Sequence, residues 1–190
     1  MKTMACFCVF AGAANGPDES FAQEIETVAR ALTRAGHEFI YGGGGVGLMG
    51  AFAKGVLAEN GKITGVIPHF LNEREVGNES VTDLITTDTM HERKKIMYDA
   101  ADAFLILPGG LGSLDETMEV MTWRQLGLLK SNIYIFNFKS YWQPMATLFE
   151  HVVANGFMHT TKFDYVHWAN DSDALLALLD QTPPDDNLFQ

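Results

Sequence analysis

The sequence predicts a doubly wound α/β domain, a mainly parallel sheet with helices on both faces. Three observations carry this. Short apolar runs alternate with helical patterns along nearly the whole chain, which is how a parallel sheet with crossover helices reads. The unusual loops, residues 12–16, 42–50, 68–75, 89–94 and 108–116, each follow a candidate strand, at the edge where such sheets bind ligands. Finally, 190 residues with 47% hydrophobic and 19% charged side chains suit one domain with a sizeable core. That domain is expected over residues 1–181. Residues 182–190, containing Pro183-Pro184-Asp185-Asp186, are expected to be a loose tail.

Taken in order, residues 4–10 are apolar and stop at Gly12, as a first strand would. Residues 18–35 place Phe21, Ile25, Val28, Ala29 and Leu32 at helical spacing and end at Gly36. A short strand over 38–41 is broken by four glycines, Gly42 to Gly45, before a helix over 48–59. A strand over 63–67 is stopped by Pro68, and 68–80 reads as a loop with a short helix. Then come a strand over 84–87, a helix over 89–101, an apolar strand over 101–107 and a helix over 114–126. After a connection over 127–132, a strand over 133–138, a helix over 141–154, a short strand over 165–168 and a helix over 174–179 complete the chain.

Composition narrows the partners. A net charge of −11 argues against nucleic acid and anionic membranes, so any anionic ligand must be held by local donors. Cys6 and Cys8 share one strand face, cannot easily bridge, and fit free thiols in a cytoplasmic setting. Lys2 with apolar residues 4–14 mimics a short secretion signal. A core strand is the better expectation, because cleavage would remove a strand and its turn. No run approaches the length that spans a membrane. No histidine or cysteine spacing suits a metal, and no Gly-x-Ser-x-Gly elbow occurs.

The most informative stretch is Leu107-Pro108-Gly109-Gly110-Leu111-Gly112-Ser113-Leu114-Asp115-Glu116. A proline ends a strand, glycines clear the turn of side chains, and a helix follows. Backbone N–H groups can then converge on an anion at the helix's positive end. Glu116 beside an anion cradle makes sense if the acid serves a different part of the same ligand. Ser113…Glu116 also matches a capping box, with Asp115 and Glu116 in the first turn. In the segment Thr89-Met90-His91-Glu92-Arg93-Lys94, a second box runs from Thr89 to Glu92. Met90, Arg93 and Met97 share a face, so a guanidinium sits in an apolar stripe, which is costly unless something anionic or aromatic meets it. A sheet-end arginine facing a phosphate cradle is the sharper expectation, a snorkelling arginine or a core salt bridge the plainer one. Gly45-Val46-Gly47-Leu48-Met49-Gly50 fits the dinucleotide pattern, but it follows the second strand. About twenty residues on, where an acid should grip ribose, stands Pro68-His69-Phe70. It reads as a close-approach turn, either touching ligand or only packing strand on helix. Met118, Val120, Met121, Trp123, Leu126, Leu128 and Leu129 make the helix after Ser113 apolar nearly all round, which suggests a homodimer face or deep burial.

These residues resemble a known family. Residues 108–116 are similar to the motif P-G-G-x-G-T-x-x-E, with Ser113 for the threonine, and Met90-His91-Glu92-Arg93-Lys94 is similar to M-H-x-R-K. The LOG (Lonely Guy) proteins carry both, and they are often mislabelled lysine decarboxylases. Tyr41-Gly42-Gly43-Gly44, Gly65-Val66-Ile67-Pro68 and Thr122-Trp123 fit as well, over residues 7–179. The resemblance implies a single Rossmann-like domain and a phosphoribohydrolase that cleaves nucleoside 5′-monophosphates, cytokinin nucleotides and AMP among them. It implies Arg93 and Glu116 as the catalytic pair, with Gly109, Gly110, Gly112 and Ser113 on the phosphate. It implies Lys94, Asp115, Thr122, Met90, Gly43, Gly44 and Glu75 at the substrate, a homodimer, and no metal or organic cofactor. One departure is Gly12-Ala13-Ala14-Asn15, where family members usually place serines, so hydroxyl donors are lost there. The alternative is a non-catalytic carrier of a nucleotide or a phosphorylated pterin, the molybdenum cofactor, on the same fold. Lysine decarboxylation is disfavoured, because Lys54, Lys62 and Lys94 lack the context of a cofactor-linked lysine.

Overall fold

A computed structural model describes residues 4–71, 81–158 and 164–181. The strands are β1 (Cys6–Phe10), β2 (Glu38–Tyr41), β3 (Ile63–Pro68), β4 (Asp83–Thr87), β5 (Ala103–Ile106), β6 (Asn132–Phe136) and β7 (Val166–Ala169). Between and after them run helices α1 (Ser20–Arg34), α2 (Gly47–Ala58), α3 (Met90–Asp99), α4 (Leu111–Gln125), α5 (Gln143–Ala154) and α6 (Ser172–Gln181). Every pairing is parallel and the order is β4-β3-β2-β1-β5-β6-β7. The expected doubly wound α/β class is thus observed.

Alternation along the strands separates two cores. Phe7, Val9, Phe39, Tyr41, Leu105 and Tyr134 face α1, α2 and α6. Cys8, Phe10, Ile40, Phe104, Ile106 and Ile135 face α3, α4 and α5. All four residues of β5 are buried, as a central parallel strand covered on both faces requires. On α1, Ile25, Val28, Ala29 and Leu32 form the buried stripe, the three larger side chains each contributing about 1.5 to 3 kcal/mol of apolar transfer energy. Gly55 lets α2 lie close on α1, since a Cβ there would stand 2.7 Å from that of Ala29.

The strand order reverses between β1 and β5. Helices α1 and α4 leave these neighbours toward opposite faces, opening a crevice above their carboxyl ends. Three loops are stapled there. The Gly12 N–H donates to the Pro108 carbonyl at 3.0 Å, and the Met49 N–H donates to the Gly12 carbonyl at 3.1 Å.

Two local expectations change. Helix α4 begins at Leu111 rather than near residue 114, with extended Gly110 as its N-cap and no capping side chain. The Ser113…Glu116 capping box therefore does not form, and Asp115 and Glu116 lie beyond the first turn. Gly110 brings the backbone into helix three residues sooner than a serine cap would. The box on α3 does form: the Glu92 N–H donates to Thr89 Oγ1 at 3.1 Å. The Glu92 carboxylate reaches back to the Asp88 N–H, also at 3.1 Å. Residues 69–71 are helical, while 72–80, with Glu75, and the expected tail at 182–190 lie outside the described residues.

Candidate active site

A cavity of about 640 Å³ opens at the β1/β5 switch point. Its lining comes from the loop after β1 (Gly12 through Pro17), the loop after β5 and the start of α4 (Pro108 through Ser113), with Asp115 and Glu116. Phe21, Leu48, Met49, Met90, Arg93 and Tyr141 complete the wall.

The anion cradle arises from the chain's turn out of β5. Gly109 has no room for a side chain: a Cβ would stand 2.1 Å from Ser113 Oγ and 2.9 Å from the Gly12 nitrogen. At Gly110 and Gly112 a Cβ would meet nothing within 4 Å, so there the missing side chains leave the approach open. The first-turn N–H groups of Leu111, Gly112 and Ser113 have no helical carbonyl to bond, and they carry the positive end of the α4 dipole. Ser113 is buried at 3% exposure. The Tyr141 hydroxyl donates to the Gly109 carbonyl at 2.6 Å, bracing the turn from outside.

Arg93 projects from α3 beneath this cradle. Its Nε donates to the Val66 carbonyl at 3.0 Å and Nη2 to the Gly42 carbonyl at 3.1 Å. Nη1 lies 3.8 Å from Met90 Sδ and 4.0 Å from Glu116 Oε1. The Arg93 and Glu116 side chains are only 8% and 12% exposed. The guanidinium in the apolar stripe is thus met by two strand-end carbonyls and a carboxylate. Burial first, and then the Glu116 charge, push the Cys8 thiol well above its ordinary range.

The remaining candidates divide. Met90 and Asp115 line the cavity with Arg93, Glu116, Gly109, Gly110, Gly112 and Ser113. Lys94 instead lies between carboxylates, 2.7 Å from Asp115 Oδ2 and 2.9 Å from Glu119 Oε2. Burial draws its ammonium down, but those two partners more than compensate and raise it. Thr122 is exposed and its hydroxyl donates to the Met118 carbonyl. Gly43 and Gly44 are buried outside the cavity; Gly43, at φ +77°, packs against Ile67 and Val66. In the dinucleotide-like stretch, Gly47 would place a Cβ 2.3 Å from the Ala13 carbonyl carbon, and Gly50 one 2.3 Å from the Gly45 oxygen. Packing of loop on loop accounts for both. Phe21 and Tyr141 were not expected at the site; the helical spacing of Phe21 marks it as core, and Tyr141 sits at a helix start. Their rings meet edge-on at 5.8 Å.

Among the described residues no cluster could hold a metal ion, and no helix is long and apolar enough to cross a membrane. The site combines neutral amide donors at one end, an acid with a fixed guanidinium at depth, and an apolar wall. Such an arrangement defines a cleft on a doubly wound sheet with an anion-binding end and an acidic floor.

Comparison with known proteins places this cleft in a family. Residues 49–179 match a family model described as "Possible lysine decarboxylase". A relative named cytokinin riboside 5′-monophosphate phosphoribohydrolase LOG2, from Arabidopsis thaliana, is 35% identical over 93% of this chain and 83% of its own. A Rhodococcoides fascians protein named cytokinin riboside 5′-monophosphate phosphoribohydrolase is 35% identical over 90% of this chain and 87% of its own. The chain belongs to the LOG family. The fold extends further: a molybdenum cofactor carrier protein from Chlamydomonas reinhardtii superposes with a TM-score of 0.69 at 19% identity, covering 94% of this chain and 98% of that one.

Proposed function

We propose that this chain hydrolyses the N-glycosidic bond of nucleoside 5′-monophosphates, cytokinin riboside monophosphates and AMP among them, to free base and ribose 5-phosphate. The observation that carries this is Glu116, 4.0 Å from Arg93, inside the cavity that the Gly109–Ser113 turn lines. The relatives' names supply the reaction class.

In this reading the amides of Leu111, Gly112 and Ser113 grip the 5′-phosphate, supplying binding energy away from the reacting carbon. As the C1′–N bond breaks, its electron pair leaves with the base and positive charge builds on the ribose. The Glu116 carboxylate stabilises that charge and orients the water that attacks C1′. The water's hydroxyl ends on C1′ and its proton on the released base, so the reaction balances as hydrolysis. Arg93 cannot swing to the phosphate while both carbonyls hold it; its free edge steadies Glu116 and the departing base. Leu48, Met49 and Met90 offer the base an apolar wall.

The reading includes a homodimer through α4, supported by Leu111, Leu126 and Leu128 at 86%, 66% and 65% exposure. It also includes a cytoplasmic setting, supported by the free cysteines Cys6 and Cys8 and tested by cell fractionation. The decisive assay incubates the protein with AMP and with isopentenyladenosine monophosphate. Free base and ribose 5-phosphate are expected, with kcat falling about 10²- to 10⁴-fold in Glu116→Gln. No release from any nucleoside monophosphate would favour a carrier of a phosphorylated pterin. Undiminished release by Glu116→Gln would remove the acid from the mechanism.

A further inference from the structure

We infer that Gly42, at the end of β2, is a positioning residue for this reaction, because its missing side chain is the berth of the Arg93 guanidinium. This deepens the proposed function and rests on Arg93 being half of the catalytic pair. An ideal Cβ at position 42 would lie 2.1 Å from Arg93 Nη2, 3.3 Å from Cζ and 3.4 Å from Met49 Sδ. The carbonyl of the same residue accepts the Nη2 hydrogen bond at 3.1 Å. Gly42 therefore both leaves the space and supplies the anchor.

Its neighbours differ in kind. Gly43 and Gly47 have φ of +77° and +64°, so their backbone alone favours glycine. At Gly47 and Gly50 the obstacle is main chain. Gly42 has no positive φ, and the atom in the way is the tip of one side chain. The fold can take alanine there, and the displacement falls on Arg93. Moving Nη2 out to van der Waals distance breaks its bond to Gly42 and shifts Nη1 relative to Glu116, while the Gly109–Ser113 turn is untouched.

The test is a double-mutant cycle of Gly42→Ala and Arg93→Ala, reading kcat and KM for AMP, thermal midpoint, and the Arg93 Nε–Hε NMR resonance identified by its loss in Arg93→Ala. In Gly42→Ala the resonance should shift and kcat should fall by about 10²-fold, the scale of an ångström's misplacement. KM should change by less than about threefold, because phosphate binding is retained, and the midpoint should fall by no more than about a few degrees, the cost of one lost hydrogen bond to a buried guanidinium. With Arg93 already alanine, the slot is empty and Gly42→Ala should have no further effect on kcat. An unmoved resonance, an unchanged kcat, or an equal loss in both backgrounds overturns the inference. A shifted resonance with Arg93→Ala as active as wild type overturns instead the role of Arg93, and the inference with it.

Discussion

Lys94 follows Arg93 in the chain and Asp115 precedes Glu116, yet the two pairs do different things. Successive residues on a helix turn about 100° apart, so when Arg93 faces Glu116 their sequence neighbours meet beside the cavity. There Lys94 bridges Asp115 and Glu119, and the Tyr98 hydroxyl donates to Glu119 at 2.7 Å. Burial first, then that bond, pushes the Tyr98 phenol far above its usual range. The cluster clamps α3 to α4. Lys94→Met should lower stability by about 1 kcal/mol or less, as for a partly exposed ion network, measured by urea unfolding at pH 7. Because the folded ammonium titrates above its ordinary 10.5, the clamp's contribution is full below that value and is lost as pH rises beyond it. The loss in Lys94→Met should therefore shrink in strongly alkaline buffer. Arg93 and Glu116 were legible from the sequence because a charge in an apolar stripe and an acid after a glycine turn are anomalies that structure must resolve. The clamp was not, since which carboxylate a lysine chooses depends on how two helices cross.

The helices show the same division between periodic and positional signals. Every expected strand and helix is present with ends shifted by a few residues, because the two cores impose spacings that side-chain periodicity records. The start of α4 was hidden, since a glycine N-cap carries no side-chain signature and a plausible Ser-x-x-Glu box lay downstream. That helix was also expected to be apolar nearly all round. Within the chain it buries only Ser113, Thr117, Val120 and Met121, leaving Leu111 bare at its first turn and Leu126 bare just past its end. If this face pairs with a second copy, analytical ultracentrifugation should give a dimer, and Leu111→Asp combined with Leu128→Asp should give a monomer. A monomeric wild type would remove the dimer from the proposed function.

The whole molecule carries a net charge of −11, and its site takes a phosphate dianion in the proposed reaction. Phosphate sites built from lysine and arginine weaken as salt rises. Here the cradle is neutral amide and one hydroxyl, while the distant field repels. Raising ionic strength from about 0.02 to 0.2 M shortens the reach of that field from roughly 20 Å to under 10 Å. We expect kcat/KM for AMP to rise a few-fold over this range. A steep fall in steady-state assays would place an uncounted cationic group at the phosphate.

The staple through Gly12 bears on how the specificity of the proposed reaction could be changed. With the loops after β1, β2 and β5 fastened to one another, side chains cannot grow at Gly12, Gly47 or Gly109, where a Cβ would press on neighbouring loop atoms, and at the open Gly110 and Gly112 they would grow into the approach to the anion cradle. Altered taste for the departing base must then be written into the flank, at Phe21, Leu48, Met49 and Met90, where swaps among apolar side chains of similar volume leave the main-chain framework standing.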